Sequence, residues 1–154
     1  KTSSVFYDNS SVVSTISADA TWTEIHSGLR LAHTAASTSN ILLMNFSISF
    51  NSPNSSNIYH AKFYNQSGSA DITIPTAVGV RTPSHWTSRV RPSDTNDMFM
   101  INMSMRHVAG STSAITYSPY FWTNLPDIDF FCSDLNNDEG MVNGGTFIIM
   151  EIQA

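Results

Sequence analysis

The 154-residue sequence predicts an all-β protein built from antiparallel strands, and three observations carry that prediction. Apolar and polar residues alternate over long stretches: Leu42, Met44, Phe46, Ile48 and Phe50 share one parity, while Asn45, Ser47 and Ser49 share the other. Successive side chains of a strand point to opposite faces, so this pattern is that of a half-buried strand. Turn-forming clusters, such as Asn51 to Ser56 and Gln66 to Ser69, recur about every ten to fifteen residues, as they do in sandwiches and barrels. Finally, no segment shows a helical apolar period, and about a third of the chain is Ser, Thr or Asn, which suit turns and sheet surfaces better than helix surfaces.

A chain of this length forms one domain and buries roughly 70% of its unfolded surface, so it needs no staple to fold. Charged residues make up 12% of it, against about 25% in an average domain, and 41% is hydrophobic. That profile excludes a disordered segment. The formal net charge of -5 argues against a nucleic-acid partner, because phosphates demand clusters of Lys and Arg and only Arg81, Arg89 and Arg91 come near one another. Cys132 is the single cysteine, so no intrachain disulfide forms, and its place after Phe130 and Phe131 marks a small buried hydrophobe. No apolar run reaches the length of a membrane span and no basic-then-apolar segment marks a signal peptide, so membrane insertion is not expected. The start at Lys1 is that expected of a processed chain or a piece of a longer one.

Taken in order, 1–17 is expected to form an N-terminal arm or edge strand, with Val5, Phe6, Tyr7, Val12 and Val13 as its apolar points, and 18–154 a single β-sandwich domain. Asp19 to Ser27 holds Trp22 and Ile25, and Leu29 to His33 alternates as a short strand. Ile41 to Phe50 is the strongest strand, and Ile58 to Tyr64 is expected to return beside it as the second arm of a hairpin. Ile72 and Ile74 mark a short strand closed by Pro75, and Thr76 to Arg81 another. Thr82 to Asn96, with Pro83, Trp86 and Pro92, reads as an unusually long loop. Met98 to His107 resumes the alternation, with Phe99, Ile101, Met103 and Met105 on one face. Ser113 to Thr123 is the most aromatic segment, and its Pro119 is expected at a bulge or an edge. Ile128 to Cys132 is a strand and Ser133 to Asn143 a polar loop. The sum is roughly nine or ten strands, for which a jelly roll is the expected topology.

The closing segment, Gly144 to Ile152, breaks the rule of one polar face. Phe147 and Ile149 point one way, while Thr146, Ile148, Met150 and Ile152 point the other. A strand apolar on both faces must be covered on both, and the core of a two-layer sandwich supplies only one cover. Another subunit is expected to supply the second. Phe147, Ile148, Ile149, Met150 and Ile152, with Tyr117, Tyr120 and Trp122 of the aromatic segment, are therefore the candidates to divide between the core and a subunit interface.

Catalytic motifs are lacking. The five histidines, His26, His33, His60, His85 and His107, show no ligand spacing, and no nucleophile elbow, phosphate loop, dinucleotide fingerprint or zinc-protease motif occurs. Asp134, Asn136 and Asp138 alternate as a calcium loop requires, but the sixth-position glycine and closing bidentate carboxylate are missing, so they read as an acidic turn with calcium as the weaker alternative. No cofactor is implied. Asn-x-Ser/Thr sequons occur at Asn9, Asn45, Asn54, Asn65 and Asn102, little more than a chain this rich in these residues gives by chance, so glycosylation is not inferred. Trp86, with Arg89 and Arg91 in the long loop, and Tyr117, Tyr120 and Trp122 are candidate contacts for a glycan, since aromatic faces stack on sugar rings; packing in the core or an interface is the favoured reading of the aromatics, by a narrower margin for Trp86.

Five short motifs, Trp22-Thr23-Glu24-Ile25, Ser37-Thr38-Ser39-Asn40-Ile41-Leu42-Leu43, His60-Ala61-Lys62-Phe63-Tyr64, Ser111-Thr112-Ser113-Ala114-Ile115-Thr116-Tyr117 and Phe147-Ile148-Ile149-Met150-Glu151-Ile152, occur in that order. This order resembles a family of bacteriophage virion proteins, C-terminal domains of tail or head fibres common in marine and cyanobacterial phages. The chain departs from that pattern at Ser118, where the family usually carries a basic residue. The resemblance implies a C1q/TNF-like trimeric jelly roll, with the closing and aromatic strands near the threefold axis and no catalytic residues. It also implies a place on the virion surface, as a capsid decoration, cement or head-fibre subunit or as the host-binding tip of a tail fibre. Capsid or fibre-shaft proteins, and a host surface glycan, are the expected partners. A secreted C1q/TNF-like or lectin-like carbohydrate-binding module is the alternative reading, and a glycan-degrading enzyme is disfavoured for want of suitably placed paired carboxylates.

Overall fold

The computed structural model describes residues 1–7, 14–16, 20–51, 57–72, 82–90, 98–124, 128–130 and 144–154. These form the strands β1 (Thr2–Tyr7), β2 (Ser14–Ile16), β3 (Thr23–Glu24), β4 (Leu31–His33), β5 (Ile41–Asn51), β6 (Asn57–Asn65), β7 (Ala70–Asp71), β8 (Trp86–Val90), β9 (Met98–Val108), β10 (Ile115–Thr123), β11 (Ile128–Phe130) and β12 (Gly145–Ile152). A single turn of 3₁₀ helix, Ser27–Leu29, joins β3 to β4. Every pairing between strands is antiparallel. The proposed strands over Ile74 to Arg81, the turn over Ser52 to Ser56, Cys132, Arg91 and the acidic turn with Asp134, Asn136 and Asp138 lie outside the described residues.

The strands make two sheets. In sheet 1, β1 pairs with β12, β12 with β5, and β5 with β9; β11 and β2 extend it at the far end of β5. In sheet 2, β3 and β4 follow one another along one edge of β10, β6 lies on its other edge, and β7 and β8 lie beyond β6. The alternation of β5 aims Leu42, Met44, Phe46, Ile48 and Phe50 at sheet 2, all almost fully buried. Phe50 touches rings from both sheets, with centroids 5.0 Å from Tyr59, 5.5 Å from Phe121 and 5.9 Å from Phe130. Nearer the other end, Phe147 of β12 stacks on Phe63 of β6 at 5.2 Å.

This arrangement corrects two sequence expectations. β5 and β6 are not two arms of one hairpin: β5 is paired on both edges within sheet 1, while β6 pairs with β10, β7 and β8 in sheet 2. Each has one apolar face, and those faces meet across the core, as Phe50 and Tyr59 do, which alternation alone does not distinguish from lying side by side. The long loop over Thr82 to Asn96 contains β8, which pairs with β6 from Trp86↔Ala61 to Val90↔Asn57.

Pro119 sits neither at a bulge nor on an edge but in β10, the middle of sheet 2, in register with Phe63. Its neighbouring row is interrupted there: β4 pairs with Ile115 to Tyr117 and β3 with Tyr120 and Phe121. The Pro119 carbonyl accepts the Ile25 N–H at 3.1 Å, so the amide hydrogen that proline lacks would also have faced this break and not β6. No ladder bond to β6 is lost. Pro119→Ala is accordingly expected to change stability by no more than about 1 kcal/mol, measured as a urea midpoint, where a proline inserted into a continuous central strand would cost far more.

Candidate interaction faces

The chain presents three features that could carry function: the outer face of each sheet and a buried polar knot near the two termini. On sheet 1 the register aligns side chains in rows across β1, β12, β5 and β9. Phe6, Thr146, Ser47 and Asn102 form one row, and Ser4, Ile148, Asn45 and Ser104 the next. Thr2, Met150, Leu43 and Arg106 form a third, and Ile152, Ile41 and Val108 a fourth. In the middle, Ser47 donates to Asn102 Oδ1 at 2.9 Å and Ser104 to Asn45 Oδ1 at 2.7 Å. These four residues, with Thr146 and Ile148, line a shallow hollow of about 230 Å³.

Apolar groups flank that polar band. Of the six large hydrophobic side chains left exposed among the described residues, five lie on this face: Phe6, Met100, Val108, Ile152 and Met150, between 65% and 38% exposed. Arg106 is the one charged residue at an outward position of β1, β5, β9 and β12. The face is therefore low in charge, with exposed apolar side chains on either side of a hydrogen-bonded polar band, which makes it a candidate interaction surface.

The outer face of sheet 2 has a different chemistry. Outward positions of β10 hold Ser118, Tyr120 and Trp122, opposite Tyr64, Lys62 and His60 of β6. Tyr64 and Tyr120 lie 4.6 Å apart, and Trp122 lies 5.0 Å from the His60 ring. Lys62 is 5% exposed although it points outward, because its ammonium lies 4.3 Å over the Trp22 ring, 5.6 Å from that of Tyr64, and pairs with Asp71. Arg30 grips Glu24 through two hydrogen bonds of 2.8 and 2.7 Å, which raises the Arg30 pKa.

The polar knot joins β1, β4 and β12. Glu151 Oε1 accepts the Ala36 N–H at 2.6 Å and the Asn40 amide at 2.7 Å, while Oε2 stands 3.4 Å from His33 Nε2. The Ser3 hydroxyl lies 2.9 Å from His33 Nδ1, and the side chains of His33 and Glu151 are 0% and 3% exposed. Burial lowers the His33 pKa from its ordinary 6.5, against the pull of Glu151, and the Asn40 hydrogen bond leads the causes that lower the Glu151 carboxyl from 4.5. Both groups thus bind protons more weakly in the folded chain than in the unfolded one, so both lose stabilisation as the pH falls. The melting temperature is expected to decline below about pH 6.5, more steeply below 4.5, and Glu151→Gln should flatten the lower limb. A melting temperature unchanged from pH 7 to 4 would contradict this.

The structure divides the candidate interface residues three ways. Tyr117, Phe147 and Ile149 are 1%, 0% and 0% exposed in the chain's own core, so they offer no surface to a neighbour. Ile148, Met150 and Ile152 point out of sheet 1, whereas Tyr120 and Trp122 point out of sheet 2, on the opposite side of the sandwich. The closing and aromatic strands therefore cannot meet the same neighbour through these residues.

Trp86 is also corrected. Its ring is half-buried and meets Phe50 edge-on at 6.4 Å, because β8 turns it inward, so it is a core residue and not a free loop aromatic. Arg89, three residues on, is exposed and pairs in register with Ile58.

Sequence reading missed Trp22, Lys62, Tyr64 and the His33–Glu151 pair. The first set had a weak signal, since His60, Lys62 and Tyr64 share the parity opposite to buried Tyr59, Ala61 and Phe63. The pair had none beyond a lone carboxylate in an apolar strand. Among the described residues, no group of three His, Cys, Asp or Glu stands close enough to hold a metal, and no helix is long and apolar enough to cross a membrane. No protein-family model matches the chain, and no curated protein matches its sequence.

Proposed function

We propose that this chain is a non-enzymatic structural protein of a virion surface, assembling as a homotrimer of jelly rolls through the outer face of sheet 1. The observation that carries the assembly is the apolar character of that face, with Phe6, Met100, Val108, Met150 and Ile152 exposed around a neutral, hydrogen-bonded centre. Burying a fully exposed side chain of this kind contributes roughly 1.5–3 kcal/mol, and these five, already partly covered, would each add a fraction of that when a neighbouring copy covers them.

Strand order supports the jelly roll. Merging β1 with β2, β3 with β4, β7 with β8 and β11 with β12 gives eight rows, numbered along the chain. Sheet 1 then reads 1-8-3-6 and sheet 2 reads 2-7-4-5, with the chain crossing between sheets at nearly every step. That order is the one expected of two nested Greek keys.

The virion location rests on the order of the five motifs that resemble phage fibre and head proteins. Capsid decoration and fibre tip both use a symmetric, self-burying sandwich, and threefold repetition would turn a weak contact on each copy into firm attachment. Light scattering under native conditions tests the assembly: a mass close to three times the 16.9 kDa of one chain is expected, and a clean monomer overturns it. Labelling of purified particles tests the location, and particles that lack the chain overturn that part.

A further inference from the structure

We propose that the outer face of sheet 2 is a binding site for a neutral saccharide, built by Trp22, Tyr64, Tyr120 and Trp122 around Lys62. The proposal rests on the assembly reading in one respect only: with sheet 1 turned towards neighbouring copies, sheet 2 is the outside of the assembly.

The core does not require these rings. It is closed by Phe50, Tyr59, Phe63, Phe121, Phe130 and Phe147, all pointing inward. The four outward aromatics are only half-buried, each leaving part of its surface in water. Apolar ring surface held in this way on an otherwise polar face suits the C–H faces of a sugar ring, whose hydroxyls need polar groups at the margin.

Those polar groups are present. The Gln66 side-chain nitrogen has two hydrogens but stands within reach of three acceptors, Glu24 Oε1 at 3.1 Å, Ser118 Oγ at 2.8 Å and the Tyr120 hydroxyl at 3.1 Å. The Gln66 amide and the Tyr120 hydroxyl are both partly exposed, and each can exchange hydrogen bonds with the hydroxyls of a ligand. The rings are also held in place beforehand. The Lys62 ammonium over Trp22 and the Tyr64–Tyr120 contact fix their orientation, so little ordering entropy remains to be lost on binding.

Charge selects the ligand class. The two cations of the cluster are each matched to a carboxylate, Lys62 to Asp71 and Arg30 to Glu24. A phosphate or a sialylated sugar would have to compete with these internal partners, whereas a neutral sugar meets a face with no net charge to oppose it.

Saturation-transfer NMR on the intact chain, irradiating aromatic protons, tests this with glucose, galactose, mannose and N-acetylglucosamine as probes and with sialic acid and glucose 6-phosphate as charged comparisons. Transfer to at least one neutral sugar is expected, weakened about tenfold by Trp122→Leu and by Tyr64→Leu. Tyr120→Phe, which keeps the ring and its packing, should weaken it less, and Phe6→Ser on the opposite face should leave it unchanged. Melting curves establish that each variant is folded. Absence of transfer to all four neutral sugars, transfer that survives in folded Trp122→Leu and Tyr64→Leu, or stronger transfer to the charged sugars would each overturn the proposal. Light scattering on the same samples separates the two readings: a monomer that still shows ring-dependent transfer retains the site and loses the assembly, and a trimer without transfer does the reverse.

Discussion

Met150→Asp is expected to convert the proposed trimer into a folded monomer, seen as a threefold fall in mass by light scattering with little change in the circular-dichroism spectrum. Met150 is 38% exposed in the single chain, so an aspartate there keeps water around it and the fold survives. In the proposed assembly the same carboxylate would lie among Thr2, Leu43 and the outward Ile148 and Ile152, covered by a neighbouring copy. Burying an unpaired charge costs several kcal/mol even after relaxation, more than a few apolar contacts return. Arg106 shares the row and could pair with the aspartate, so Ile152→Asp, a row further on, is the companion variant. If both variants keep the wild-type mass, the outer face of sheet 1 is not the assembly surface.

Phe50→Ala is the change expected to damage the fold most. Its ring is fully buried and lies within 6.4 Å, centroid to centroid, of Tyr59, Trp86, Phe99, Phe121 and Phe130. These neighbours come from both sheets, so no single shift of one element can close the cavity. Removing a buried phenylalanine from such a site costs about 3–5 kcal/mol, a large share of the roughly 5–15 kcal/mol that holds a domain together. Urea denaturation should show a midpoint lowered by roughly a fifth or more. Phe6→Ala, which removes a ring that is 65% exposed, should leave the midpoint of the monomeric form nearly unchanged.

Alternation along the chain made some of these features legible. The parity of Leu42 to Phe50 and of Phe99 to Met105 predicted which side chains face the core, because period two is a local property of a strand. The same parity separated Phe147 and Ile149 from Ile148, Met150 and Ile152, and the structure shows that the first two face inward. Parity does not say which strands are neighbours, which is why β5 and β6 were expected side by side and instead face one another across the core. The segment around Trp86 was read as a loop because its prolines and serines carry turn propensity; pairing with β6 overrides that propensity and draws the ring against Phe50.

The polar contacts were least legible. His33 and Glu151 are separated by 118 positions and meet only because β1, β4 and β12 converge at one end of the sandwich. Tyr117 and Tyr120 looked alike as aromatics of one strand, yet one is a core residue and the other a surface residue, since three positions apart on a strand means opposite faces.

The sequence by itself determined that this protein is antiparallel and all-β, and that its last strand is apolar on both faces, because those properties are written in the spacing of neighbouring residues. Tertiary structure alone decided that Ile148, Met150 and Ile152 share an outward face with Phe6, Met100 and Val108, and that Trp22, Lys62, Tyr64 and Tyr120 gather on the opposite side. Those groupings depend on the order and register of strands far apart in the chain, set by which edges and faces can be covered at once, and no local pattern encodes them.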